Sequence, residues 1–142
     1  MYIEEIKGNL FACDWSDYVL AHCISADCKM GAGIAKTFAQ KYPGMKAYCL
    51  EQKPKVGMAV YYSARVPVFN LITKQRYFQI PTYATLTAAL KDMKEQMEQM
   101  GCRRVAMPRI GCGLDKLEWA RVRTIVEDLF RDTDVKIRVF SL

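Results

Sequence analysis

Three stretches of this sequence hold residue types whose spacing can do chemistry: SADCKMGAGIA (25–35), TKQRY (73–77) and RIGCGLD (109–115). RIGCGLD leaves an apolar run, crosses Pro108, and sets Gly111 and Gly113 around Cys112 before ending in Asp115. Glycines so placed allow backbone angles that turn successive N–H groups into one anion-binding concavity. The MGAGIA loop repeats the device. Gly31 and Gly33 let the backbone come close to a ligand, and the helix that follows presents unpaired N–H groups and a positive dipole end. Two such loops on one edge suit a diphosphate, although tight strand–helix packing accounts for MGAGIA equally well.

Two familiar phosphate motifs are excluded. A Walker loop needs glycine where Met30 and Ala35 stand, and a dinucleotide fingerprint needs glycine at Lys36. Lys74 ends an apolar strand within the same group of loops. A lysine at the lip of a partly dry pocket loses proton affinity by desolvation, which frees its amine to attack an electrophilic carbon. A neighbouring carboxylate accepts or returns a proton during turnover. Asp115 has two readings: such a carboxylate, or the N-cap of a capping box D-K-L-E with Glu118 as reciprocal partner. Ser25, at the mouth of the first loop, either hydrogen-bonds a ligand or closes a turn.

The cysteines (13, 23, 28, 49, 102, 112) read as reduced thiols rather than a disulfide frame. HCISADC sketches part of a zinc site, but the chain has one His and no CxxC pair. His22 and Cys23, adjacent on a strand, point to opposite faces, so no metal is expected. The net charge of +6 suits an anionic partner, with the basic residues dispersed rather than run together. No apolar run reaches the roughly 18–20 residues of a membrane span. MYIEEIKGNLF carries acids where a signal peptide carries basic residues, so a cytoplasmic protein with no membrane partner is expected.

The elements that must position these loops alternate between strand and helix. Strands are expected at YIEEI, YVLAHCI, GMAVYY, VFNLITK, RVAMP and VKIRVFSL, and helices at IAKTFAQKY, around KAYCLEQ, from PTYATL to Gly101, and at LEWARVRTIVEDLF. Leu86, Leu90, Met93, Met97 and Met100 fall on one helical face, as do Val122, Ile125, Val126 and Leu129. The methionines on that face read as packing. The pattern predicts one domain, 1–142: an α/β sandwich with helices on both faces of a mixed, largely parallel sheet. In such sheets, loops at the carboxyl ends of parallel strands gather on one edge, so the three loops converge on one crevice.

KGNLF, AHCISADCKMGAGIA, LITK followed by PTY, MPRIGCGLD and the closing VFSL resemble the macrodomain family over essentially the whole chain. AHCIS, the MGAGIA loop and MPRIGCGLD resemble most closely the branch of the terminal ADP-ribose protein glycohydrolase. The resemblance implies a three-layer α/β/α fold around a six-stranded mixed sheet, acting as an ADP-ribosyl hydrolase. It implies that Gly31, Ala32, Gly33, Ile34 and Ala35, with Arg109, Ile110, Gly111, Cys112, Gly113 and Leu114, cradle the diphosphate and distal ribose, with Ser25 in contact. Asn9 and Leu10 would lie by the adenine, Phe140 near its ring, and Leu142 would close that end. Lys74 would attack the anomeric carbon of the distal ribose and release a carboxylate, with Asp115 as acid/base and no cofactor. The implied partner is ADP-ribose, or an ADP-ribosylated protein or small molecule, bound by a monomer.

Two departures bear on this. The family usually has Asp at the position of Asn9, and asparagine accepts the adenine amino group's hydrogen bond more weakly. QRYFQI also departs from the protein-directed relatives. Bacterial antitoxins that remove ADP-ribose from thymidine in DNA share the plan, and Lys74, Arg76 and Tyr77 would suit nucleic acid. Dispersed basic charge argues against that substrate. A non-catalytic ADP-ribose reader would need both glycine loops but would have no use for both Lys74 and Asp115.

Overall fold

In the computed structural model, which describes residues 1–12 and 16–142, the chain folds into six strands and four helices among the described residues. Of the cysteines, Cys13 lies outside the described residues; 23, 28, 49, 102 and 112 are free thiols. The strands are β1 (Tyr2–Lys7), β2 (Val19–Ser25), β3 (Ala59–Tyr62), β4 (Val68–Lys74), β5 (Arg104–Pro108) and β6 (Lys136–Ser141). The helices are α1 (Gly33–Lys41), α2 (Met45–Glu51), α3 (Tyr83–Met100) and α4 (Trp119–Phe130). The sheet order is β1-β6-β5-β2-β4-β3, with β3 antiparallel to β4 and every other pair parallel. None of these helices is long and apolar enough to cross a membrane.

Strand alternation divides the core into two layers. Val19, Ala21, Phe69, Leu71, Val105, Met107, Ile137 and Val139 face α3 and α4. Leu20, Ile24, Val68, Ile72, Ala106 and Phe140 face α1 and α2. Central strands β2 and β4 are apolar on both faces because helices cover both, so they read as continuous hydrophobic runs. This is the three-layer α/β/α sandwich expected.

α3 begins at Thr82, whose hydroxyl accepts from Thr85 N at 3.0 Å while Thr85 Oγ1 accepts from Thr82 N at 3.1 Å. It stops at Gly101, in the left-handed conformation (φ 69°) that glycine adopts without strain. Leu86, Leu90, Met93 and Met97 are buried, each worth about 1.5–3 kcal/mol of transfer free energy. Met100, expected on the same face, is the last residue of the helix and is instead 46 % exposed. α4 buries Val122, Val126 and Phe130, with Ile125 and Leu129 packed against the core at its margin.

Candidate functional site

The carboxyl ends of β2, β4 and β5 lie side by side, and the three loops predicted to meet do meet. Ser25 and Lys74 are register partners, and Ala26 N donates to Lys74 O at 2.8 Å. The register slips between Ile24 and Ser25, since Ile24 pairs with Ile72 and Ser25 with Lys74. Thr73 is therefore an extra residue, a bulge of the kind that re-aims the side chain beside it.

The Lys74 ammonium donates to Asp115 Oδ1 at 2.6 Å across 41 residues of sequence. Both side chains are mostly sheltered, 15 % and 17 % exposed. The capping reading of Asp115 is overturned. RIGCGLD does not lead straight into a helix: Gly113–Asp115 form a 3₁₀ turn, and Lys116 takes a left-handed conformation (φ 63°) that redirects the chain. α4 then starts at Trp119, preceded by Glu118, which makes no side-chain cap. Glu118 N donates instead to the Tyr83 hydroxyl at 3.0 Å. Asp115 is thus too far before the helix to cap it, and its carboxylate is committed to Lys74.

Thiols near this pair are held protonated. Burial, reinforced by the negative charge of Asp115, pushes the Cys23 thiol up to about 12. Burial raises Cys112 as well, and its Sγ donates to Ile110 O at 3.5 Å. A protonated thiol is a poor nucleophile, which leaves the amine of Lys74 as the nucleophilic group of this cluster.

The glycine loops close on each other from either side. Gly111 and Gly113 both have φ of 73°. A Cβ on Gly111 would sit 2.8 Å from Leu117 Cδ1, a side-chain tip that would have to move, so the left-handed angle is what first calls for glycine there. Gly113 has no such neighbour and faces open space. A Cβ on Gly33 would lie 3.1 Å from Leu114 Cδ1, which brings the tip of one loop against the other. α1 opens with Ala32 as N-cap and no side-chain cap, and its first turn holds no acidic residue. Its N-terminal N–H groups and positive dipole end face the same edge, a suitable seat for phosphate oxygens. Gly31, Ala32 and Gly33 are exposed there, with Ile34 and Ala35 half-buried.

Asp27, absent from the sequence expectations, organises the loop. It accepts from Ser25 Oγ, from Lys29 N at 3.2 Å and from Tyr77 N at 2.9 Å. Burial works against its charge, but these hydrogen bonds prevail and hold the carboxyl below its ordinary range. The bond to Lys29 is an Asx turn, readable in SADCK; the bond to Tyr77 spans 50 residues and has no local signal. Ser25, 4 % exposed, spends its hydroxyl on Asp27 and so closes a turn.

Several expected contacts take a different form. The Arg109 guanidinium turns away from the loop to Glu5 (3.3 Å) and lies over the Trp119 ring, so only its backbone faces the crevice. Ile110 is buried in the core and likewise offers only backbone. Asn9 Oδ1 accepts from Phe11 N at 3.0 Å, starting a 3₁₀ turn over Leu10–Ala12. Leu10 and Phe140 are buried together in the α1-side core. Leu142 stands fully exposed beyond β6. Among the described residues no group of three or more His, Cys, Asp and Glu could hold a metal ion.

Residues 21–126 match the family model described as Macro domain. The chain is 44 % identical over 140 residues to the human protein named ADP-ribose glycohydrolase OARD1, covering 99 % of this chain and 91 % of that one. It is 26 % identical over 151 residues to ADP-ribose 1''-phosphate phosphatase of Lodderomyces elongisporus, covering 91 % and 93 %. The macrodomain of Mycobacterium tuberculosis DarG superposes with a TM-score of 0.88 at 23 % identity, covering 99 % and 97 %.

Proposed function

The chain belongs to the macrodomain family, and from that premise we propose that it is a hydrolase that releases ADP-ribose from acidic side chains of proteins, or from small O-acyl esters of ADP-ribose. The observation that carries this reading is the Lys74–Asp115 pair, 2.6 Å apart and held between two glycine loops. A protein that merely bound ADP-ribose would gain nothing from a sheltered amine beside a carboxylate.

The two loops seat the diphosphate, and the distal ribose lies over Lys74. Asp115 takes a proton from the Lys74 ammonium, leaving a free amine. The amine attacks the anomeric carbon; the bond from that carbon to the ester oxygen breaks, and its electron pair leaves with the carboxylate. Water then attacks the same carbon and gives up a proton to solvent, Lys74 departs as the amine, and Asp115 returns to it the proton it took. Water is consumed across the glycosidic bond, giving free ADP-ribose, a carboxylate and one proton.

The direct test is ADP-ribose release from a glutamate-modified protein by the wild type and by Lys74→Ala, with ADP-ribose affinity measured in parallel. Loss of release with binding retained supports the lysine mechanism. Equal release from both moves the chemistry to another residue. Release from neither, with O-acetyl-ADP-ribose also left intact, leaves a reader.

A further inference from the structure

Beside Lys74, a cleft of about 620 Å³ opens between the end of β4, the segment 75–80 and the start of α3. Thr73, Lys74, Phe78, Ile80, Pro81 and Thr85 are among its walls. No carboxylate lines it, and Lys74 is its one charged wall residue among the described residues. Thr82 and Thr85, the cap and first turn of the 18-residue α3, bring that helix's positive dipole end to the same space. A carboxylate suits this field, and a cation does not.

A second, independent observation lies on its floor. Thr73, the bulged residue, is 1 % exposed, and its Oγ1 is buried with no hydrogen-bond partner. The Cys23 sulfur beside it is only a weak acceptor for its proton and does not meet that need. Buried hydroxyls are rarely left unmatched, so each exception asks for an explanation. At the rim, Phe78 and Ile80 are 71 % and 57 % exposed, an apolar margin fixed to the site by the Tyr77 N–H bond to Asp27.

We propose that this cleft receives the departing half of the substrate: the carboxylate of an acidic side chain, hydrogen-bonded by Thr73 Oγ1, with flanking peptide lying over Phe78 and Ile80. The inference rests on the hydrolase reading above and assigns its leaving group. As the bond from the anomeric carbon to the ester oxygen breaks, negative charge gathers on that carboxylate. Thr73 and the α3 terminus stabilise it there, so their effect falls on turnover. The apolar rim touches only a substrate that carries peptide beyond the ester.

The experiment uses two esters, a glutamate-ADP-ribosylated peptide and O-acetyl-ADP-ribose, with Thr73→Val and Ile80→Glu made in the full chain. Thr73→Val is expected to lower kcat about tenfold on both esters, with ADP-ribose affinity within about twofold of wild type. Ile80→Glu is expected to lower kcat/KM about tenfold on the peptide alone, because the acetyl ester does not reach the rim. Its exposure keeps this arm informative should Thr73→Val fold poorly. Cleavage of both esters by the wild type with neither variant impaired overturns the assignment and leaves the hydrolase standing. Cleavage of thymidine-linked ADP-ribose that falls with Ile80→Glu, while the peptide is unaffected, assigns the cleft to a nucleobase and also overturns it. Cleavage of neither ester by the wild type removes the hydrolase reading itself.

Discussion

At the scale of single residues, Asp115 separates structural from chemical roles. Because it does not cap α4, Asp115→Asn should cost the fold little, within about 0.5–1 kcal/mol for a partly exposed pair. Proton transfer from Lys74 should nevertheless fail, so ADP-ribose release should fall by about a hundredfold or more. Thermal melting and turnover on the same sample test this; a large loss of stability with turnover intact would return Asp115 to a structural role. His22 makes the opposite case, a titratable residue absorbed by the core. Its Nε2 lies 2.6 Å from Asn70 Oδ1, its ring stacks on Phe38 at 3.9 Å, and burial holds its pKa down to about 4. The unfolded chain takes up this proton near its ordinary 6.5, whereas the folded chain resists until about 4. The contribution is complete above pH 6.5 and is lost as pH falls toward 4, by about 3 kcal/mol in all. Denaturant midpoints at pH 7 and pH 4.5 should show the drop in the wild type and a smaller one in His22→Gln.

At the scale of elements, the loops are where glycine and side-chain anchors decide the shape. Gly111→Ala meets both a left-handed angle and Leu117 at 2.8 Å, while Gly113→Ala meets the angle alone. The second should cost about 1–2 kcal/mol, and the first more, with ADP-ribose affinity lost as the loop shifts. Calorimetry alongside denaturation of both variants tests the order; equal costs would mean Leu117 yields freely. Asp27→Ala cuts the links to Lys29 and Tyr77 at once. It should increase hydrogen exchange in 26–30 and 75–79 while β2 and β4, buried between helices, stay protected. The strands themselves were legible in the sequence because continuous apolar runs and alternation repeat locally. The start of α4 was not. D-K-L-E satisfies the residue types of a capping box, but the left-handed Lys116 between them breaks the geometry the box requires.

At the scale of the whole molecule, charge bears on the choice of partner. The chain carries +6, yet Arg103, Arg109, Arg123, Arg131 and Arg138 are paired with Asp134, Glu5, Asp128 and Glu4. Such pairing leaves no concentrated cationic stripe from these side chains. Single-stranded DNA should therefore bind no tighter than about 10⁻⁶ M at physiological salt, with a shallow salt dependence. Tight binding that falls steeply with salt would favour a nucleic-acid substrate. What the sequence determined by itself was whatever depends on neighbours in the chain: strand and helix periods, the two glycine loops, and the residue types Lys74 and Asp115. The tertiary structure alone decided that Lys74 meets Asp115 rather than solvent, that Arg109 turns to Glu5, that Leu142 stands clear, and that Thr73 lies unpartnered under a cleft. The first two are contacts between segments 41 and 104 residues apart. Such contacts are set by how the strands are ordered and registered in the sheet, and no local pattern encodes them.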